Sequence, residues 1–117
     1  MAVDVSDEEF DQLVGEALDS IPGRFWERVE NLVVLVEPRP PADEPDLLGL
    51  YEGIPLSERD SSYGAALPDR VLIFREPLKR IAQDRADLAD QVAVTVVHEI
   101  GHFFGFDDDD LDELGWA

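Results

Sequence analysis

Apolar residues recur at helical spacing near the start of the chain, at Phe10, Leu13, Val14, Ala17, Leu18 and Ile21. One face of a helix collects all six, so the pattern predicts an amphipathic scaffold helix. Ser6 and Glu9 form a capping box ahead of it, with Asp7 and Glu8 placed to favour the positive end of the helix dipole. Pro22-Gly23 closes the stripe. Phe25, Trp26 and Val29 suit a further helical turn.

The pattern then changes period. Leu32-Val33-Val34-Leu35-Val36 is an almost wholly apolar, β-branched run, and it predicts a strand covered on both faces. Pro38, Pro40, Pro41 and Pro45 impose an irregular extended loop. Leu47 to Tyr51 is a weaker strand, stopped by Gly53 and Pro55. Residues 57–68 are polar with Gly64 near the middle and suit a surface loop. Val71-Leu72-Ile73-Phe74 is a third strand between Arg70 and Arg75. Pro77 then fits the first turn of a helix carrying Leu78 and Ile81.

From Asp87 to Phe104 two signals compete. Val92, Val94, Thr95, Val96 and Val97 have strand propensity, yet the unbroken run is too long for an ordinary strand and ordinary for a helix. At helical spacing Ala89, Ala93, Val96, Val97, Ile100, Phe103 and Phe104 share one face. Gln91, Thr95, His98 and His102 share another. A central helix with an apolar stripe and a polar stripe is therefore expected. The whole predicts one α+β domain over residues 1–117, with a small mixed sheet of three or four strands and the long helix packed across it.

Composition narrows the chemistry. The chain has no cysteine, which excludes disulfides and thiolate metal sites and leaves nitrogen and oxygen as ligands. The first residues carry no basic start and no apolar run of a secretory signal. No stretch approaches the roughly 20 apolar residues of a membrane span. A cytoplasmic location is expected. The net charge of −19 repels nucleic acid and anionic lipid, so neither nucleic acid nor a membrane is an expected partner. Charge alone also admits an acidic partner for a basic protein, although solubility is the plainer reading.

Both histidines fall in one pentapeptide, His98-Glu99-Ile100-Gly101-His102. On a helix, residues four apart stand one above the other, about 5–6 Å between Cβ atoms. Two imidazoles so placed converge on one metal ion, with zinc–nitrogen distances of about 2.0–2.1 Å. Glu99 is rotated about a quarter turn from the pair, beside the ion's open position, which suits a general base. Gly105 is placed to end the helix in a left-handed conformation and turn the chain back. With no other histidine and no cysteine, the third ligand must be an oxygen. Asp107 and Asp108 are nearest, ahead of Asp109 and Asp110. Zinc is the first choice of metal, while two histidines and one carboxylate also serve iron or manganese. The aspartate run is no EF-hand loop, since its acids are consecutive rather than alternating. Leu111, Leu114 and Trp116 are expected to pack the tail onto the body.

His98 to Asp108 resembles the extended zincin signature H-E-x-x-H-x-x-G-x-x-H/D. The order of segments, an N-terminal helix, strands at Leu32–Val36 and Val71–Phe74 and a late motif helix, is similar to that of a small bacterial family of zincin-like metallopeptidases, the minizincins. The resemblance implies a zincin-like fold without a C-terminal subdomain, a zinc cofactor and peptide-bond hydrolysis. It implies His98, His102 and Asp108 as metal ligands and Glu99 as the catalytic base. It also implies an extended peptide or protein substrate that adds to a sheet edge, a role matched by order along the chain to Val71–Phe74. Two features depart from larger relatives. The only methionine is Met1, so no methionine turn underlies the metal, and Glu113 is the only glutamate downstream of the motif. A reduced substrate cleft is expected. The alternative is a non-catalytic metal- or peptide-binding module built on a degenerate zincin site. Tyr63 and Arg75 carry the right chemistry for an oxyanion partner, but no spacing selects them.

Overall fold

A computed structural model describes residues 3–27, 29, 31–53 and 69–105 of the chain. Helix α1 (Asp7–Asp19) is followed by a single turn, α2 (Gly23–Trp26), and by strands β1 (Leu32–Glu37), β2 (Gly49–Glu52) and β3 (Asp69–Phe74). Helix α3 (Arg75–Ile81) leads into the long helix α4 (Arg85–Phe103). The α+β expectation holds, with a small mixed sheet as anticipated.

The caps explain where the helices begin. The Ser6 hydroxyl accepts the Glu9 backbone N–H at 3.1 Å, as the capping box predicts. Asp84 does the same for α4, accepting the Asp87 N–H at 2.8 Å, so the long helix starts two residues earlier than its apolar stripe suggests. Gly105 has a φ of 85° and donates its N–H to the His102 carbonyl at 2.9 Å. This is the left-handed stop expected of a glycine just beyond a helix.

The sheet order is β1-β3-β2, with β1 parallel and β2 antiparallel to β3. This corrects one expectation. Val71–Phe74 is not an edge, because β3 has a neighbour on each side. The physical reason is burial. Val71 and Ile73 are fully enclosed, and the strand with the most buried apolar surface takes the centre, where the shorter β2, opening on Gly49 and closing on Glu52, cannot. Order along the chain carried no information on order in the sheet.

The core lies on one side of that sheet. Val71 and Ile73 meet Val92, Val96, Ile100 and Phe103 of α4, and Phe10, Leu13, Val14 and Ala17 of α1 complete the cluster. Leu32, Val34 and Val36 of β1 pack against it. Alternation places Val33, Leu35, Leu50 and Leu72 on the opposite face, outside the core cluster. Val33 is 37 % exposed. Among the described residues β1 is therefore covered on one face rather than both.

The buried stripe of α4 is also turned from its expected position. Leu88, Val92 and Thr95 are buried, whereas Ala89 and Ala93 are only partly so. Thr95, assigned to the polar stripe, lies against β2 and turns its hydroxyl to the Gln91 carbonyl at 2.8 Å. A threonine can be buried this way because the helix itself satisfies its polar atom.

Candidate metal centre

His98 and His102 stand one turn apart in the last two turns of α4. Their ring centroids are 4.5 Å apart and the rings are nearly perpendicular, at 85°. One ligand atom each from His98, Glu99 and His102 all lie within 4.8 Å of one another. All three residues are half-buried. Two imidazole nitrogens one turn apart on a rigid helix, with a carboxylate beside them, fit a zinc site.

The helix is positioned by its neighbours. Phe103 and Ile100 are fully buried between the sheet and α1, and the Phe103 ring meets Tyr51 edge-on at 6.1 Å. Phe104 is held in the same way by Phe25, at 5.6 Å. These rings bracket the end of the motif and fix its rotation, so His98 and Glu99 face β2.

Close approach to β2 depends on Gly49. A Cβ at that position would fall 2.8 Å from Thr95 Cγ2, 3.0 Å from Glu99 Cγ and 3.2 Å from the Leu72 carbonyl. Any side chain there would have to displace a stiff β-branched neighbour, the glutamate or the backbone. The glycine lets the motif helix sit directly on the strand.

The Tyr51 backbone N–H faces the Glu99 carboxylate. Strand geometry explains why that N–H is available. Phe74 donates to the Leu48 carbonyl at 2.9 Å, so Leu48 and Phe74 are a hydrogen-bonded pair in the antiparallel ladder. Pairs alternate, which makes Leu50–Leu72 and Glu52–Arg70 the next bonded pairs. The N–H and C=O groups of Gly49 and Tyr51 therefore point away from β3, towards the outer edge. Burial pushes the Glu99 carboxyl above its ordinary value, and the adjacent imidazoles of His102 and His98 and the Tyr51 N–H pull it partly back.

A groove of about 360 Å³ opens beside these residues. Leu47, Leu48 and Val94 form its apolar walls, with His98 and Glu99 at one end and Asp46 at the lip. Val94 is half exposed there.

Of the residues singled out in the sequence, His98, Glu99 and His102 are brought together. Asp107, Asp108, Asp109, Asp110 and Tyr63 lie outside the described residues, as do Glu113 and the apolar tail positions. Arg75 is engaged elsewhere, with Nε 3.2 Å from the Asp7 carboxylate, where it ties α3 to α1. Gly49, Tyr51 and Thr95 complete the surroundings of Glu99 and were not anticipated. One signal could have found Gly49, since an isolated glycine in a strand marks close backbone approach. Tyr51 gave no such sign.

The sequence profile of the zincin-like metallopeptidases matches residues 29–116. The chain belongs to this family. The match runs from the start of β1 past the motif, and α1 lies before it. No curated relative matches the chain significantly. Among the described residues, no helix is long and apolar enough to cross a membrane.

Proposed function

We propose that the protein is a zinc-dependent peptidase in which Glu99 is the general base. His98 and His102 hold the ion. Asp108 is the third ligand by its place in the motif, three residues past the glycine that turns the chain. When bound, zinc acidifies a water molecule and polarises a carbonyl oxygen. Glu99 accepts the proton of the attacking water and delivers it to the leaving amine. A carboxyl raised by burial is a better base than an exposed one.

The observation that carries this reading is the position of Glu99. Its carboxylate stands beside both imidazoles and against the β2 backbone at Gly49 and Tyr51. The outward N–H and C=O of Gly49 offer an extended peptide one rung of a ladder along β2. The substrate edge is thus assigned to β2 in place of Val71–Phe74. The walls of Leu47, Leu48 and Val94 suit an apolar side chain of that peptide.

Metal analysis and turnover of the purified protein test the proposal together. About one equivalent of zinc, lost in His98→Ala, is expected. Glu99→Ala should keep the metal and lose cleavage of a peptide library. Equal cleavage by both forms would sink the general-base assignment. Zinc binding with no cleavage by either would favour a binding module instead.

A further inference from the structure

Tyr51 is anchored through its side chain and faces the motif through its main chain. Its hydroxyl donates to Oδ2 of Asp69 at 2.8 Å, its ring rests on Phe103 of α4, and its N–H points to the outer edge of β2, beside Glu99. Asp69 is only 3 % exposed. The space around its carboxylate is closed by Gly53, where a Cβ would fall 2.5 Å from Cγ and 2.6 Å from Oδ1. Gly53 has a φ of 152°, a conformation that favours glycine. The chain thus turns tightly over a buried acid that has no part in the metal site.

Among the described residues β2 is bonded to a strand on one side only, and it has four residues. Such a strand can shift relative to the helix beneath it. A hydrogen bond from a side chain of β2 to a buried carboxylate of the central strand opposes that shift, because a buried acceptor left without its donor is costly. The same residue then presents its N–H at the edge beside Glu99.

We propose that Tyr51 is a positioning residue for Glu99, and that its hydroxyl bond to Asp69 sets where the β2 edge holds the general base. The proposal rests on the reading of Glu99 as that base. It separates two roles within one residue, with the side chain anchoring the strand and the main chain placing the carboxylate. Asp69 acts through Tyr51 and touches neither metal nor substrate.

The test uses the full chain with Tyr51→Phe, Asp69→Ala and Asp69→Asn. Zinc content, kcat and KM on a fluorogenic peptide, and hydrogen exchange of the residue-51 amide in the metal-free protein are measured. Tyr51→Phe should keep its zinc, lose about tenfold in kcat and change KM by less than about twofold. Its residue-51 amide should exchange about tenfold faster, as it should in Glu99→Ala. Asp69→Ala should behave like Tyr51→Phe. Asp69→Asn still offers an oxygen to the hydroxyl and should restore most of both readouts. Unchanged kcat and unchanged amide exchange in Tyr51→Phe would overturn the proposal. So would parallel loss of zinc and activity, or failure of both Tyr51→Phe and Asp69→Ala to fold, since each marks a general structural role. If the wild type cleaves nothing, the peptidase reading fails, and amide exchange alone decides whether Tyr51 positions Glu99.

Discussion

The two edges of the sheet differ in a way that separates folding from chemistry. β1 is six residues long, nearly all apolar, and pairs in parallel with the central strand. β2 is four residues long, carries Gly49 and Glu52, and pairs antiparallel. By apolar content β1 is the stronger strand, yet the motif helix lies against β2. An apolar run reports how much surface a strand can bury. It does not report which backbone groups face the motif carboxylate. That role needs a strand thin enough to let a helix approach, and Gly49 supplies it.

Glu99→Gln is the largest test of this contrast. It should lower turnover by about 10²–10⁴-fold with zinc retained, because a neutral amide accepts no proton. Near wild-type turnover would remove the chemistry from the β2 side altogether. Gly49→Ala should come next. Its new methyl would push against Thr95 and Glu99, costing about 1–3 kcal/mol in chemical denaturation and about tenfold or more in kcat/KM. The matching change on the other edge, Val33→Thr at an exposed site, should leave kcat/KM within about twofold. Equal losses at both edges would erase the distinction.

A smaller effect concerns pH. Burial raises the Glu99 pKa in the folded chain above its ordinary 4.5, so the folded state binds that proton more tightly than the unfolded state. The stability linked to it is fully present below 4.5 and is lost as pH rises through the folded value. Metal-free Glu99→Gln should therefore melt above metal-free wild type at about pH 8, and the gap should close as pH falls towards 4.5. A gap that widens on acidification would reverse the assigned sign. The smallest effect is expected at Glu52, whose ion pair with Arg70 bridges β2 and β3 on the solvent side, with both side chains more than 40 % exposed. Glu52→Gln should cost no more than about 0.5 kcal/mol. A larger loss would mean that β2 depends on its surface pair more than on Tyr51.

Much of this architecture was legible in residue pattern. The α1 stripe, its Ser6 cap, the extents of β1 and β3 and the Gly105 stop all arise from local spacing and local backbone preference. His98, Glu99 and His102 were legible for the same reason, since helix geometry alone stacks residues four apart. The failures share one cause. Placing Val71–Phe74 at an edge and missing the burial of Thr95 against β2 each required knowledge of which elements become neighbours. The sequence does not encode that in any local window.

The sequence by itself therefore determined the elements, the clustering of His98, Glu99 and His102, and the family, because periodicity, capping and a helical pentapeptide are short-range properties. Only the tertiary structure decided that β3 is central, that β2 lies beside the motif, and that Tyr51 bonds to a buried Asp69. Those facts depend on how burial is shared among strands and on which backbone groups the ladder leaves pointing outward. Both are settled when the sheet assembles against α4.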